Sequence, residues 1–335
     1  MTRERLRALL REVRAARVAV LGDFCLDAYW FLDPALSERS IETGRPTRPV
    51  RRQRYSPGGA GNAAANLAAL GAGAVRAIGV LGDDLFGREL RRLLDRMGVS
   101  TAAVLTQAGD WDTPVYAKPH VADEEQDRLD FGLANRLHAE TEQALLRAIE
   151  TAGGEVSVLV VNQQLLRGVC SDPVVAAINA LAARWEGTVL VDARNRSEAF
   201  TGVAFRLNAN EAARAFGGTA ARDGGLGDVE ARTLAERIHA RTGRPVFLSL
   251  GERGSVVAAA DGAHTVSSVA VAGPTDPVGA GDSSLSAITA ALAVGTTPRD
   301  AAELAALAAA VTVGKLRTTG TATPDEILAL AAQAV

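Results

Sequence analysis

Asp276-Pro277-Val278-Gly279-Ala280-Gly281-Asp282-Ser283 is a loop of small residues that runs directly into an alanine-rich stretch ending near residue 294. Its glycines let backbone N–H groups turn into a shared cavity. A helix start adds N–H groups without intrahelical acceptors and the positive end of the helix dipole. Such a place suits an anion, and in particular a phosphoryl group in transfer. Asp282 stands at its mouth, where a carboxylate can accept the proton of an attacking hydroxyl. A plainer reading makes Asp282 a helix N-cap and the glycines an ordinary turn.

Upstream and downstream of this loop the chain alternates between two periods. Alanine-rich helices are predicted near 282–294, 299–313 and 324–334. Before the loop, helices near 136–152, 173–185 and 228–242 alternate with the apolar runs Val156–Val161, Val189–Val191 and Val246–Leu250. Nearer the N-terminus lie the apolar runs Val18–Leu21 and Ala77–Leu81 and an alanine-rich helix Asn62–Leu70. Phe86, Leu90, Leu93, Leu94 and Met97 mark a further helix with one apolar face. Strands alternating with helices of this length predict an α/β fold with a mostly parallel sheet and helices on both faces. The strands read as continuous apolar runs, as strands covered on both faces should.

Residues 28–57 and 111–132 break this rhythm, with prolines, many arginines and no helical period. They are expected to form one small β-structured lid over the open edge of the sheet, within a single domain of residues 1–335. The alternative is a pair of long surface loops.

Composition removes several function classes. A net charge of −3 gives no general surface for a polyanion, which argues against nucleic acid as the partner. Two cysteines, Cys25 and Cys170, make no disulfide framework and no CxxC pair. The four histidines are scattered, without zinc-ligand spacing. Residues 1–17 read as an amphipathic helix rather than a signal peptide, and no membrane span is predicted. The expected location is cytoplasmic.

The motifs together resemble the PfkB-type, ribokinase-like carbohydrate kinases. DPVGAGD followed by Ser283-Ser284-Leu285-Ser286-Ala287 is similar to their C-terminal signature, and Gly58-Gly59-Ala60-Gly61-Asn62 to their N-terminal one. Asn208-Ala209-Asn210-Glu211 matches their Asn-x-x-Glu motif, and Ser249-Leu250-Gly251 their Thr-x-Gly segment. The matches run in family order from about Val18 to Gly320. The resemblance implies ATP as phosphoryl donor, Mg²⁺ as cofactor and a sugar as acceptor. It implies Asp282 as the base and Gly279, Ala280 and Gly281 as the anion hole. Asp27, Gly58, Gly59 and Asn62 would then bind the sugar, with Gln164 facing it from the end of a strand. Asn208 and Glu211 would lie near the phosphates and Mg²⁺, the metal reached from Glu211 through water. Ser249, Gly251 and Gly254 would form the nucleotide edge, and Asp276 matches a position near a monovalent-cation site. Relatives often pair through their lids, so a homodimer is expected. Ala306 and Arg317 depart from the family pattern on the adenine side, which leaves nucleotide preference open.

Gly22-Asp23-Phe24-Cys25-Leu26-Asp27 with Tyr29-Trp30 is similar to the start of the heptose 7-phosphate kinases, as are Arg128-Leu129-Asp130-Phe131 and Val313-Gly314-Lys315-Leu316. Arg45, Arg48, Arg51, Arg52 and Arg54 form a basic run whose guanidinium forks suit a phosphate on the substrate. Asn162-Gln163-Gln164 replaces the Asp-Tyr-x-Lys-Gly segment of those kinases, which leaves ribose, fructose or a related sugar open. A dinucleotide oxidoreductase is disfavoured because Gly22 is followed by Asp23-Phe24-Cys25, not by GxGxxG. A catalytically silent sugar or nucleotide sensor is disfavoured by the intact Asp282 and Glu211.

Overall fold

The computed structural model describes residues 1–217, 226–316 and 319–333. The chain opens with α1 (Arg3–Glu12), β1 (Arg17–Gly22), β2 (Phe24–Leu32), β3 (Val50–Gly59), α2 (Ala60–Ala69), β4 (Ala74–Gly82) and α3 (Leu85–Arg96). It continues through β5 (Ser100–Gln107), β6 (Val115–Val121), β7 (Glu124–Glu125), β8 (Leu129–Phe131), α4 (Ala139–Gly153), β9 (Val158–Gln163), α5 (Asp172–Arg184) and β10 (Thr188–Ala193). Then come β11 (Ala204–Asn208), α6 (Ala209–Phe216), α7 (Asp228–Thr242), β12 (Val246–Ser249), β13 (Ser255–Ala259) and β14 (Gly262–Val266). Three helices close it: α8 (Ala280–Ala293), α9 (Pro298–Val313) and α10 (Pro324–Gln333).

Nine strands form the large sheet in the order β14-β13-β12-β11-β10-β9-β1-β4-β5. It is parallel from β5 to β12, and the β13–β14 hairpin adds an antiparallel edge. Side chains alternate across it. Val18, Val20, Val158 and Val160 face one core with α1, α2, α8 and α9. Ala19, Leu21, Leu159 and Val161 face the other, with α4, α5 and α7. This two-faced burial is why these strands read as unbroken apolar runs.

Two strands of the parallel sheet and the edge hairpin lay outside the sequence reading. β5 is an edge strand with only Thr101, Val104 and Gln107 buried, and its apolar run is confined to Ala102–Leu105. β11 holds only five residues and carries Arg206 in its middle. The hairpin strands are short, one of them interrupted by His264.

A second sheet has the order β3-β2-β6-β7, with β8 paired to β6. It draws on both irregular stretches, and β2 already begins at Phe24, ahead of them. Leu26 and Ala28 are fully buried against the body of the molecule together with Val115 and Ala117. The opposite face carries Asp27, Tyr29 and Phe31 of β2. Across β3 their neighbours are Ser56, Arg54 and Arg52; across β6 they are Tyr116, Lys118 and His120. No helix among the described residues is long and apolar enough to cross a membrane.

Candidate active site

The carboxyl ends of β1, β9, β10, β11 and β12 open onto one crevice, the position where open α/β sheets take ligands. α8 begins above it. Its N-cap is Gly279, in the left-handed region at φ 84, with no side-chain cap. Asp282 is therefore not the N-cap of the plainer reading; it is the third residue of the helix. Among the described residues no backbone carbonyl accepts the N–H groups of Gly281 or Asp282. The first turn thus presents unspent donors, as an anion hole requires.

Asn62 of α2 donates through Nδ2 to Asp282 Oδ2 at 2.6 Å. Asn66 donates to Asn62 Oδ1 at 3.1 Å, which turns the Asn62 amide nitrogen towards Asp282. Ser286 of α8 lies 2.9 Å from the Ala63 carbonyl and holds the two helices together. Burial raises the pKa of Asp282 to about 6, with Asp192 and Asp27 adding to the rise; the Asn62 bond and Arg206 oppose it. A carboxylate tuned this way stays ionised at neutral pH and is a better proton acceptor than a solvated one.

Asp27 is 5% exposed. Lys118 Nζ lies 2.8 Å from its Oδ1, and Thr319 Oγ1 is 3.5 Å from its Oδ2. Burial works against the Lys118 charge, yet Asp27 outweighs it and lifts the ammonium pKa. Thr319 also lies 3.3 Å from the Tyr29 hydroxyl and 3.5 Å from Ser56 Oγ. A Cβ on Gly279 would meet Thr319 Cγ2 at 3.3 Å, so Thr319 joins the Asp27 side of the crevice to the first turn of α8.

Gly58 and Gly59 sit where space is shortest. A Cβ on Gly58 would come 3.1 Å from Asp27 Oδ2; on Gly59, at φ 53, it would come 2.6 Å from the Asp23 carbonyl. Gln164 donates from Nε2 to Asn162 Oδ1 at 2.9 Å and from its backbone to Asp23 Oδ2 at 2.8 Å.

On the other side of the crevice, Asn208 caps α6 and forms a capping box with Glu211. Each side chain takes the other's backbone N–H at 2.9 Å. Burial, then the charge of Asp192, raises the Glu211 pKa. Ser249 pairs with Asn208 across β11 and β12. Gly254 turns the chain at φ 91 where a Cβ would strike the Val266 carbonyl, and Gly251 turns it at φ 64. Asp276 Oδ1 accepts the Val278 N–H at 3.0 Å, which braces the loop before α8. Ala306 packs against the apolar core, and Arg317 lies outside the described residues.

Asp192, Arg206, Lys118 and Thr319 were not singled out from the sequence. Lys118 had a signal: Val115, Ala117 and Pro119 alternate with Tyr116, Lys118 and His120, a period of two. Asp192 ends the apolar run of β10, the place Asp27-like ligands are sought. Arg206 and Thr319 carry no local pattern.

The sequence pattern of the pfkB family carbohydrate kinases matches residues 16–326. The chain is 34% identical over 334 residues to the bifunctional protein HldE of Caulobacter sp. strain K31, covering 96% of this chain and 64% of that protein. It is 32% identical over 315 residues to the HldE of Azorhizobium caulinodans, covering 92% and 63%. The chain thus spans less than two thirds of the length of these relatives. Phosphofructokinase-2 of Escherichia coli, solved in complex with potassium, superposes with a TM-score of 0.75 at 19% identity, over 95% of this chain and 99% of that one. Ribokinase of Arabidopsis thaliana, solved with ribose and ATP, gives 0.70 at 19% identity, over 94% and 98%. The chain belongs to the pfkB family of carbohydrate kinases.

Proposed function

We propose that the protein transfers the γ-phosphoryl group of ATP to a hydroxyl of a sugar that already carries a phosphate, heptose 7-phosphate being the leading candidate. The observation that carries this reading is the pairing of Asp282 with the open first turn of α8. The sugar oxygen bonds to the γ-phosphorus as the bond from that phosphorus to its bridging oxygen breaks. The hydroxyl proton passes to Asp282, and ADP leaves. Asp27 accepts sugar hydroxyls, with Gly58, Gly59, Asn62 and Gln164 shaping the pocket. Asn208 and Glu211 serve the phosphates and Mg²⁺, and Ser249, Gly251 and Gly254 line the nucleotide.

Mg²⁺ fits the residues present. No cluster of three metal-ligating side chains occurs among the described residues. One half-buried carboxylate, Glu211, suits an ion that keeps most of its waters and takes phosphate oxygens. When bound, it would neutralise phosphate charge. Asp276 is assigned to the neighbourhood of a monovalent cation, a reading supported by the potassium in the E. coli structure. A cytoplasmic location goes with the use of ATP.

The second sheet, which we read as a lid, supports a phosphorylated acceptor. Its Asp27 face carries cations laid on rings. Arg52 lies 4.2 Å from the centre of Phe31, Arg54 4.3 Å from Tyr29 and Lys118 4.9 Å from Tyr29. Only two arginines of the basic run take part, because Arg51 is paired with Asp33 and the strand period turns it away. Replacing Arg52 and Arg54 together by alanine should raise KM for the phosphorylated sugar by about 10–100-fold, the worth of charge-assisted hydrogen bonds. KM for ATP should stay unchanged, and alanine at Arg45, Arg48 and Arg51 should have little effect. Assay of a panel of sugars and sugar phosphates tests the function itself; equal activity of the parent on the unphosphorylated sugar would remove the phosphate from the reading.

The lid also supports the homodimer. β3 is an edge strand with Val50–Arg54 exposed, and such edges are commonly covered. Light scattering at micromolar concentration should give twice the chain mass. A monomer there excludes the dimer.

A further inference from the structure

Arg206 stands in the middle of β11, among apolar neighbours, with its side chain only 13% exposed. Its Nη1 donates to Asp192 Oδ2 at 3.1 Å. A guanidinium has five N–H donors, and this is the one hydrogen bond Arg206 makes among the described residues. Its Nε is buried with no hydrogen-bond partner among the described residues. Leaving buried donors unspent is costly, and such groups call for a reason.

Position supplies one. A Cβ on Gly281 would lie 3.1 Å from Nη2, 3.3 Å from Nη1 and 3.5 Å from Cζ of Arg206. The guanidinium therefore lies against the first turn of α8, beside the N–H groups of the anion hole. Glycine at 281 makes that approach possible, because any side chain there would press on the guanidinium. Asp192 is buried, and its carboxylate holds the fork from behind. Charge points the same way. Asp192, Glu211 and Asp282 surround this end of the crevice, and Arg206 acts on all three. A triphosphate brought among three carboxylates needs a cation at the point where its γ-phosphoryl group lands.

We infer that Arg206 is a catalytic residue of this kinase, a guanidinium held by Asp192 that donates to the oxygens of the phosphoryl group in transfer at the head of α8. The inference rests on the reading of Gly279–Asp282 as the phosphoryl site. Arg206 neither gains nor loses a proton. Its donors act on the charge that spreads over the phosphoryl oxygens as the bond to the ADP oxygen breaks and the bond to the sugar oxygen forms. Lysine would supply charge without the fork.

The test uses three variants of the full chain: Arg206→Met, Arg206→Lys, and Arg206→Met combined with Asp192→Asn. The double variant removes both charges, so it escapes the penalty of a buried carboxylate left alone. Each is measured for kcat, for calorimetric binding of ADP and of a non-hydrolysable ATP analogue, and for binding of ADP with aluminium fluoride and sugar. Loss of one preorganised donor group typically costs about 10²–10³ in kcat. The expected result is a loss of that size in Arg206→Met and in the double variant, with partial recovery in Arg206→Lys. Binding of the aluminium fluoride complex should weaken by a similar factor and the ATP analogue by about tenfold, while ADP binding stays within about twofold. A folded double variant with the parent's kcat and the parent's ratio of ATP-analogue to ADP affinity overturns the inference and leaves Arg206 a structural ion pair. If Arg206→Met does not fold, the double variant and Arg206→Lys decide. A parent that phosphorylates no sugar sinks the proposed function alone, since the nucleotide affinity ratio still reads Arg206.

Discussion

Asp282→Asn should lower kcat by at least a hundredfold while ATP affinity holds and the melting temperature does not fall. The attacking hydroxyl has a high pKa and must lose its proton as the oxygen–phosphorus bond forms. Removing the general base typically costs about 10²–10⁴-fold. Asparagine keeps an oxygen for the Asn62 Nδ2 that now lies 2.6 Å away. Helix capping is not at stake, because Gly279 occupies the N-cap. ATP affinity should change little, since in the proposed site the phosphates are met by backbone N–H groups and by residues of other strands. Kinetics, calorimetric ATP binding and a thermal melt check the three parts. A stable, ATP-binding variant with near-parent kcat would refute Asp282 as the base.

The same carboxylate should set the pH dependence. It acts as base only when ionised, and its pKa is raised to about 6. The parent's kcat should be flat above pH 7 and fall about tenfold per unit well below 6, a limb that Asp282→Asn should lack. The stability effect runs the opposite way. A carboxylate whose folded pKa lies above its ordinary 3.8 binds its proton more tightly in the folded state. Its unfavourable burial is present in full above about pH 6 and is relieved as pH falls from there towards 3.8. Asp282→Asn should therefore gain most in melting temperature over the parent above pH 6, and the gain should shrink in acid.

How far the sequence carried the architecture depended on burial. Val18–Leu21, Val156–Val161 and Val189–Val191 lie in the middle of the large sheet, covered on both sides, and their apolar runs were plain. β5 at the edge sends Val104 to one core and the half-buried Ala103 and Leu105 to the other, but its apolar run is short and set between Ser100-Thr101 and Thr106-Gln107, so it was missed. The site divides in a similar way. Glycine turns and the polar side chain that follows them are adjacent in sequence, so Gly279–Asp282 and Gly58–Asn62 could be read as units. Arg206 and Gly281 are 75 residues apart by number, and only the fold brings them together. Thr319 and Asp27 are likewise joined by topology. Asp23 was quoted in a motif, but nothing local showed what it holds.

What Asp23 holds is the loop that begins at Gln164, the residue proposed to face the sugar. The carboxylate is 2% exposed, and it takes three backbone N–H groups: Gln164 and Leu165 on Oδ2 at 2.8 Å each, Val169 on Oδ1 at 2.9 Å. Burial raises its pKa, and the three N–H bonds oppose the rise. The chain closes tightly on it, for a Cβ on Gly168 would lie 2.0 Å from Oδ1. Asp23→Ala removes both oxygens and orphans three buried donors, each worth about 1–3 kcal/mol when left unsatisfied. Some regain water as the loop opens, so a loss of about 3–6 kcal/mol is expected. Asp23→Asn keeps one oxygen but sets an NH₂ against the remaining donors, so it should also destabilise, by less. Loosening of residues 163–169 displaces Gln164, and KM for the sugar should rise more than KM for ATP, whose proposed contacts lie on β11, β12 and α8. Urea unfolding and the two KM values test this. A variant Asp23→Ala that unfolds at the parent's midpoint and binds sugar as the parent does would show that the loop is held by something else. Destabilisation with both KM values rising equally would make Asp23 a fold residue with no hold on the sugar side.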